Sequence, residues 1–136
     1  MKIAIDVAKL SDYYKYHLGC IAVYGNTIIS SGYNSNKSHP LQDRLHFLYH
    51  PDYNSKHFLS KIHAEISCLS KIHKQDIEWK KVKLSIARIN DTTYSKGRTY
   101  LAKPCTSCMN FIISLGIRDI YYTTNDLSVP YIHERL

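Results

Sequence analysis

Glycine and proline are scarce in this chain, five and four among 136 residues, which excludes a collagen-like or low-complexity polymer. Long apolar runs are missing too, and nothing approaches the roughly 18 consecutive apolar residues of a membrane span. The opening Met1-Lys2-Ile3-Ala4-Ile5-Asp6 lacks the apolar stretch and small-residue cleavage site of a secretory signal. Cysteine is sparse: Cys20, Cys68, Cys105 and Cys108. Without a secretory signal a disulfide framework is not expected, and the Cys-x-x-Cys pair reads as metal or redox chemistry. What is present suits a packed core, with 44% apolar and 21% charged residues. The expectation is one intracellular, cytoplasmic domain over residues 1–136 with no membrane association.

Acidic residues are in deficit. Eighteen lysines and arginines against eleven acids give a net charge of +7, an excess that concentrates anionic partners and nucleic acid above all. Thirteen lysines to five arginines, with sixteen isoleucines and twelve tyrosines, also fit an AT-rich coding sequence. Selection for two-pronged arginine–phosphate contacts would favour arginine instead.

Apolar residues at Ile3, Val7, Leu10 and Tyr14 predict a helix from Ile3 to Tyr16. Residues Cys20–Tyr24 and Thr27–Tyr33, joined by Gly25-Asn26, predict a β-hairpin. From Asn34 to Ser60 the periodicity fails, and this aromatic-basic stretch is expected to be a long functional loop. Ser60 is the expected cap of a helix reaching about Lys74. Val82–Ile89 alternates as a strand, with Val82, Leu84, Ile86 and Arg88 on one side. Pro104 is placed in the first turn of a helix that stops at Gly116, followed by a strand over Ile117–Thr124. Only twelve residues follow Thr124, too few for a crossover helix and a parallel strand, so a last strand must return as an antiparallel hairpin at Asn125-Asp126. The order is that of an α/β layer architecture.

The residues that carry chemistry are His63-Ala64-Glu65 and Pro104-Cys105-Thr106-Ser107-Cys108. Cys105 and Cys108 stand one helical turn apart and can grip one metal ion, their thiolates favoured by helix N-terminal amides. His63 supplies a third ligand. Three protein ligands leave the fourth tetrahedral position to water, the mark of a catalytic zinc site, and zinc lowers the pKa of that water to about 7. Glu65 follows the histidine too closely to ligate comfortably beside it, and is placed to move protons. That carboxylate also speaks against a non-catalytic zinc-binding relative, which has no use for it. Cys20 and Cys68 read as small core residues, Trp79 as an aromatic packed at a strand edge, and His39, His46, His50, His57 and His73 as loop histidines on a basic surface.

In type, order and context these residues resemble the cytidine deaminase-like superfamily, whose signature is H-x-E followed by P-C-x-x-C. The resemblance spans most of the chain. It implies a three-layer α-β-α fold, with helices on both faces of a mixed sheet of four to five strands. It also implies bound zinc, hydrolytic conversion of cytosine to uracil with release of ammonia, and a proton-shuttling Glu65. Asn34, in Gly32-Tyr33-Asn34, is the implied sugar contact, and Ala64 and Pro104 flank the substrate. The hairpin ending departs from the tRNA adenosine and deoxycytidylate deaminases and is more similar to toxin-type polynucleotide cytosine deaminases. The charge and the tract from Tyr33 to Lys61, with Tyr49 and Tyr53 as base-stacking rings, favour cytosine in single-stranded DNA or RNA. The second reading is a free cytidine or deoxycytidine nucleotide, with that tract closing over its phosphate.

Overall fold

Alternation organises the sheet. In the computed structural model, which describes residues 1–49, 61–72, 75–90 and 98–136, the predicted hairpin forms from β1 (His17–Tyr24) and β2 (Thr27–Tyr33). Gly25 takes the positive φ of 64° at its turn, a conformation only glycine adopts without strain. The third strand, β3 (Val82–Ile89), pairs antiparallel with β1 and carries the predicted alternation, with Val82, Leu84 and Ile86 fully buried. Beyond it, β4 (Asp119–Thr123) runs parallel to β3 and β5 (Tyr131–Arg135) returns antiparallel to β4. The sheet order is β2-β1-β3-β4-β5. The single parallel pair needs a crossover, which α4 (Thr106–Leu115) provides. Gly116 ends that helix at a φ of 98°, the left-handed stop the sequence predicts.

Helices cover both faces. On one face α1 (Lys2–Ala8) lays Ala4, Val7 and Ala8 against the strands, so closely that a Cβ on Gly19 would lie 2.3 Å from the Ala4 carbonyl oxygen. On the other face α3 (Ala64–Leu69) and α4 bury Ile66, Leu69 and Ile112 against Leu84, Ile86 and Ile120. Each such side chain removed from water contributes about 1.5–3 kcal/mol before entropy is counted. Gly32 of β2 permits the same intimacy with α3, since a Cβ there would sit 2.3 Å from the Cys68 nitrogen. Cys20 and Cys68 lie in this core as free thiols, and Trp79 packs partly buried against it. No helix among the described residues is long and apolar enough to cross a membrane.

Three expected elements differ. The first helix ends at Ala8 and not at Tyr16. Leu10 and Tyr14 keep helical spacing but are exposed, so no burial holds them in a helix. Within Asn34–Ser60 the expected loop contains a ten-residue helix, α2 (Pro40–Tyr49). Its cap is the His39 imidazole, whose Nδ1 accepts the Leu41 N–H at 3.0 Å, and Pro40 takes its first position. The third difference is the start of α3, which begins at Ala64 with His63 as its N-cap. Residues 61 and 62 are held extended by a Ser38–Lys61 bridge and an Ile62 N–H to Lys37 carbonyl bond. Ser60, the expected cap, lies outside the described residues, as do Tyr53, His50, His57 and His73.

Candidate active site

Two helix starts meet on the face of the sheet that α3 and α4 cover. His63 is the N-cap of α3 and Cys105 the N-cap of α4, both with extended backbone, and Cys108 follows one turn into α4. The His63 Nδ1 lies 3.6 Å from the Cys105 sulfur and 3.4 Å from the Cys108 sulfur. All three donor atoms fall within 4.8 Å of one another. A tetrahedral zinc, with bonds of about 2.3 Å to sulfur and about 2.0–2.1 Å to nitrogen, holds S and N ligands about 3.6 Å apart. The donor set therefore fits zinc in both chemistry and spacing. Among the described residues no other group of three histidine, cysteine or acidic side chains comes together in this way.

Electrostatics prepare the donors. The Cys108 thiol donates to the Cys105 sulfur, and with the His63 hydrogen bond and charge this overcomes burial and brings Cys105 down to about 3. Cys108 moves the opposite way, raised by its bond to Cys105 and by burial. Burial pulls His63 down, but its bond to Cys105 and the charges of Glu65 and Cys105 outweigh that and raise it. Glu65 is 3% exposed, and burial raises its carboxyl above the usual range. It lines the same cavity as His63 and Cys105.

That cavity holds about 990 Å³ and opens at one end of the sheet, where the paired residues Leu18 of β1 and Arg88 of β3 both face it. Ala64 lines it, as expected. Pro104 is buried immediately ahead of the N-cap Cys105, two positions before the first helical residue and outside the turn predicted for it. Asn34 also lines it and is 5% exposed. Its Oδ1 accepts the Leu18 N–H at 2.8 Å and lies 2.6 Å from the Ser11 hydroxyl, while its Nδ2 donates to the Tyr16 carbonyl at 3.1 Å. The side chain thus pins the segment between α1 and β1 to the end of β2. Tyr49, at the end of α2, is exposed and is not among the lining residues, nor is Tyr33. Among the described residues the tyrosine rings that line the cavity are Tyr13 and Tyr16.

Sequence reasoning missed the polar face of α2. Gln42, fully buried, accepts the His63 backbone N–H at 3.0 Å through Oε1, and its Nε2 lies 2.9 Å from the His46 Nε2. The His46 Nδ1 lies 3.0 Å from the hydroxyl of Ser107, the buried residue between the two cysteines. His46 is thus a cavity-lining helix residue and not a loop histidine, its ring edge-on to His63 at 5.1 Å. The available signal was His39-Pro40, a cap and first helical position that read equally well as a turn.

The fold has solved counterparts. It is similar to the dCMP deaminase from the cyanophage S-TIM5 in its apo form, with a TM-score of 0.60 and 22% identity, over 95% of this chain and 82% of that one. The same phage enzyme in complex with dCMP and dUMP matches with a TM-score of 0.53 and 19% identity, over 90% of this chain and 76% of that one. No curated protein sequence matches the chain. Residues 1–124 match the model of the cytidine and deoxycytidylate deaminase zinc-binding region, and with His63, Cys105 and Cys108 gathered beside Glu65 the chain belongs to that family of zinc-dependent hydrolytic deaminases.

Proposed function

We propose that the protein deaminates the cytosine of a free cytidine or deoxycytidine nucleotide, with dCMP as the representative substrate. The observation that carries this reading is the composition of the cavity wall. Among the described residues that line it, Glu65 is the one acid, with the cations Lys61, Arg88 and Lys103 and the tyrosine rings of Tyr13 and Tyr16. Such a wall suits one base and one phosphate. Of the tract expected to stack successive bases of a single strand, Asn34, Ser35, Ser38, His46 and Lys61 reach this wall, but the rings of Tyr33 and Tyr49 do not. The fold shared with a phage dCMP deaminase, whose structure with dCMP and dUMP is among the neighbours, supports the same choice.

His63, Cys105 and Cys108 hold the zinc, which when bound supplies Lewis acidity that brings a water's pKa to about 7. Glu65 takes a proton from the attacking water and delivers it to N3 of the base. It then takes the second proton of that water, now the hydroxyl on C4, and passes it to the amino group, whose C4–N bond breaks to release ammonia as the water oxygen becomes O4 of uracil. Burial suits the carboxyl to this exchange, because a raised proton affinity lies nearer the working pH. Ala64 lines the cavity and presents its backbone beside the base, while Pro104, buried and not among the lining residues, acts by setting the start of α4. Asn34 keeps one of its two amide hydrogens for the sugar, the other being given to Tyr16.

Salt dependence tests the substrate class. For single strands log affinity falls by about 0.7 per neutralised phosphate for each unit of log salt, so a tract of four or five contacts gives a slope near 3. The nucleotide reading predicts a slope below about 1 for dCMP and no tighter binding of a cytosine oligonucleotide. A slope near 3 with tight oligonucleotide binding would return the assignment to single-stranded nucleic acid.

A further inference from the structure

Arg88 departs from the rule that buried polar atoms find partners. Its Nε is the one buried side-chain nitrogen or oxygen without a hydrogen-bond partner among the described residues, a condition that ordinarily costs stability. Its guanidinium lies over the Tyr16 ring, 4.7 Å from the centroid, and among the described residues no ion pair includes it. The neighbouring wall cation Lys103, by contrast, approaches Glu134 at 3.8 Å. Arg88 thus lines, with a flat charged group whose Nε is unpartnered, the same cavity as Glu65, His63 and Cys105.

Its place relative to the reacting end follows from Tyr16. Burial raises the Tyr16 hydroxyl, the charge of Arg88 lowers it and that of Cys105 raises it further. In space, Tyr16 carries the Arg88 guanidinium over its ring and lines the same cavity as the zinc ligand Cys105. A nucleoside monophosphate carries a base for such a metal site and a dianion for such a cation.

We infer that Arg88 is the residue that selects a phosphomonoester at the far end of the substrate, gripping it through Nε and a terminal nitrogen while Tyr16 supports the guanidinium plane. A planar fork matches phosphate oxygens in pairs, and the unpartnered Nε gains its bond only when the anion arrives. This assignment rests on the nucleotide reading above and names the residue that makes the nucleotide, and not the nucleoside, the substrate.

The test compares dCMP, deoxycytidine and a single-stranded cytosine oligonucleotide in the zinc-loaded protein and in Arg88→Gln. For the wild type, kcat/KM is expected to favour dCMP over deoxycytidine. In Arg88→Gln it falls about 10- to 100-fold for dCMP, carried by KM, the scale of a lost charge-assisted bond, while deoxycytidine changes less than about threefold. Arg88→Lys, which keeps the charge and the packing stem, is expected to lose part of the preference and serves if the glutamine variant does not fold. A dCMP preference undiminished in both variants, or an equal loss on dCMP and deoxycytidine, overturns the role of Arg88 and leaves the nucleotide reading standing. A wild type that deaminates only the oligonucleotide overturns both.

Discussion

The Oε1 of Gln42 accepts the backbone N–H of His63, so a residue of α2 fixes the residue that starts α3. Because Oε1 is committed as acceptor, Nε2 donates to His46. The His46 Nδ1 then carries the hydrogen and donates to Ser107, between the two cysteines. One chain of bonds ties the two helix starts that supply the zinc ligands.

Gln42→Leu removes that tie at nearly constant volume. It strands the His63 N–H, at about 1–3 kcal/mol for a buried unsatisfied group, and removes the Gln42 bond to His46. Zinc affinity, read by competition with a chromophoric chelator, is expected to fall about 10- to 100-fold, the usual scale for residues that orient ligands. Unchanged zinc affinity would show that α2 merely packs beside the site.

Purified protein is expected to carry one zinc per chain, and chelation to lower its unfolding temperature as well as abolish turnover. A ligand that binds only the folded state at a free concentration of 100 Kd adds about 2.7 kcal/mol. Activity that survives chelation with less than half an equivalent of zinc would contradict the site.

Glu65→Ala is expected to keep its zinc and its fold while turnover drops by about 10²–10⁴-fold or more. Metal analysis and kinetics on one preparation decide the matter. Loss of zinc in parallel with activity would make Glu65 a ligand or a structural support.

Gly32→Ala puts a methyl 2.3 Å from the Cys68 nitrogen and 2.8 Å from the Ala64 carbonyl oxygen. Both are backbone atoms of α3, so the helix must move. A cost of about 1–3 kcal/mol or more, with weaker zinc retention, is expected from thermal unfolding and metal analysis. Gly25→Ala meets nothing within 4 Å, and its cost is the backbone strain of a positive φ alone, about 1–2 kcal/mol.

How much was legible follows from which signals are local. The β3 alternation, the hairpin at Gly25, the stop at Gly116 and the C-terminal return at Asn125-Asp126 are short-range patterns with a single physical reading. The His63, Cys105 and Cys108 cluster was legible because each position demands a residue type that few other roles need. The helix α2 was not, because it turns a polar Gln42 into the core beside Leu45 and so erases the apolar periodicity that would reveal it. Apolar spacing that persists through Tyr14 draws Tyr13 and Tyr16 into the expected helix. Their true position depends on Asn34, whose amide bonds reach residues 11, 16 and 18 across the sheet end. Bonds of that range leave no periodic trace. The basic, aromatic composition after Tyr33 was visible, but which of its rings reach the cavity is decided by tertiary packing.

The most direct measurement is uracil formation by the zinc-loaded protein from equimolar dCMP and a single-stranded oligonucleotide carrying one cytosine, followed in the same vessel. The account predicts that dCMP is converted to dUMP with release of one ammonia per turnover, while the oligonucleotide stays essentially unreacted. Conversion of the oligonucleotide with dCMP untouched would contradict it.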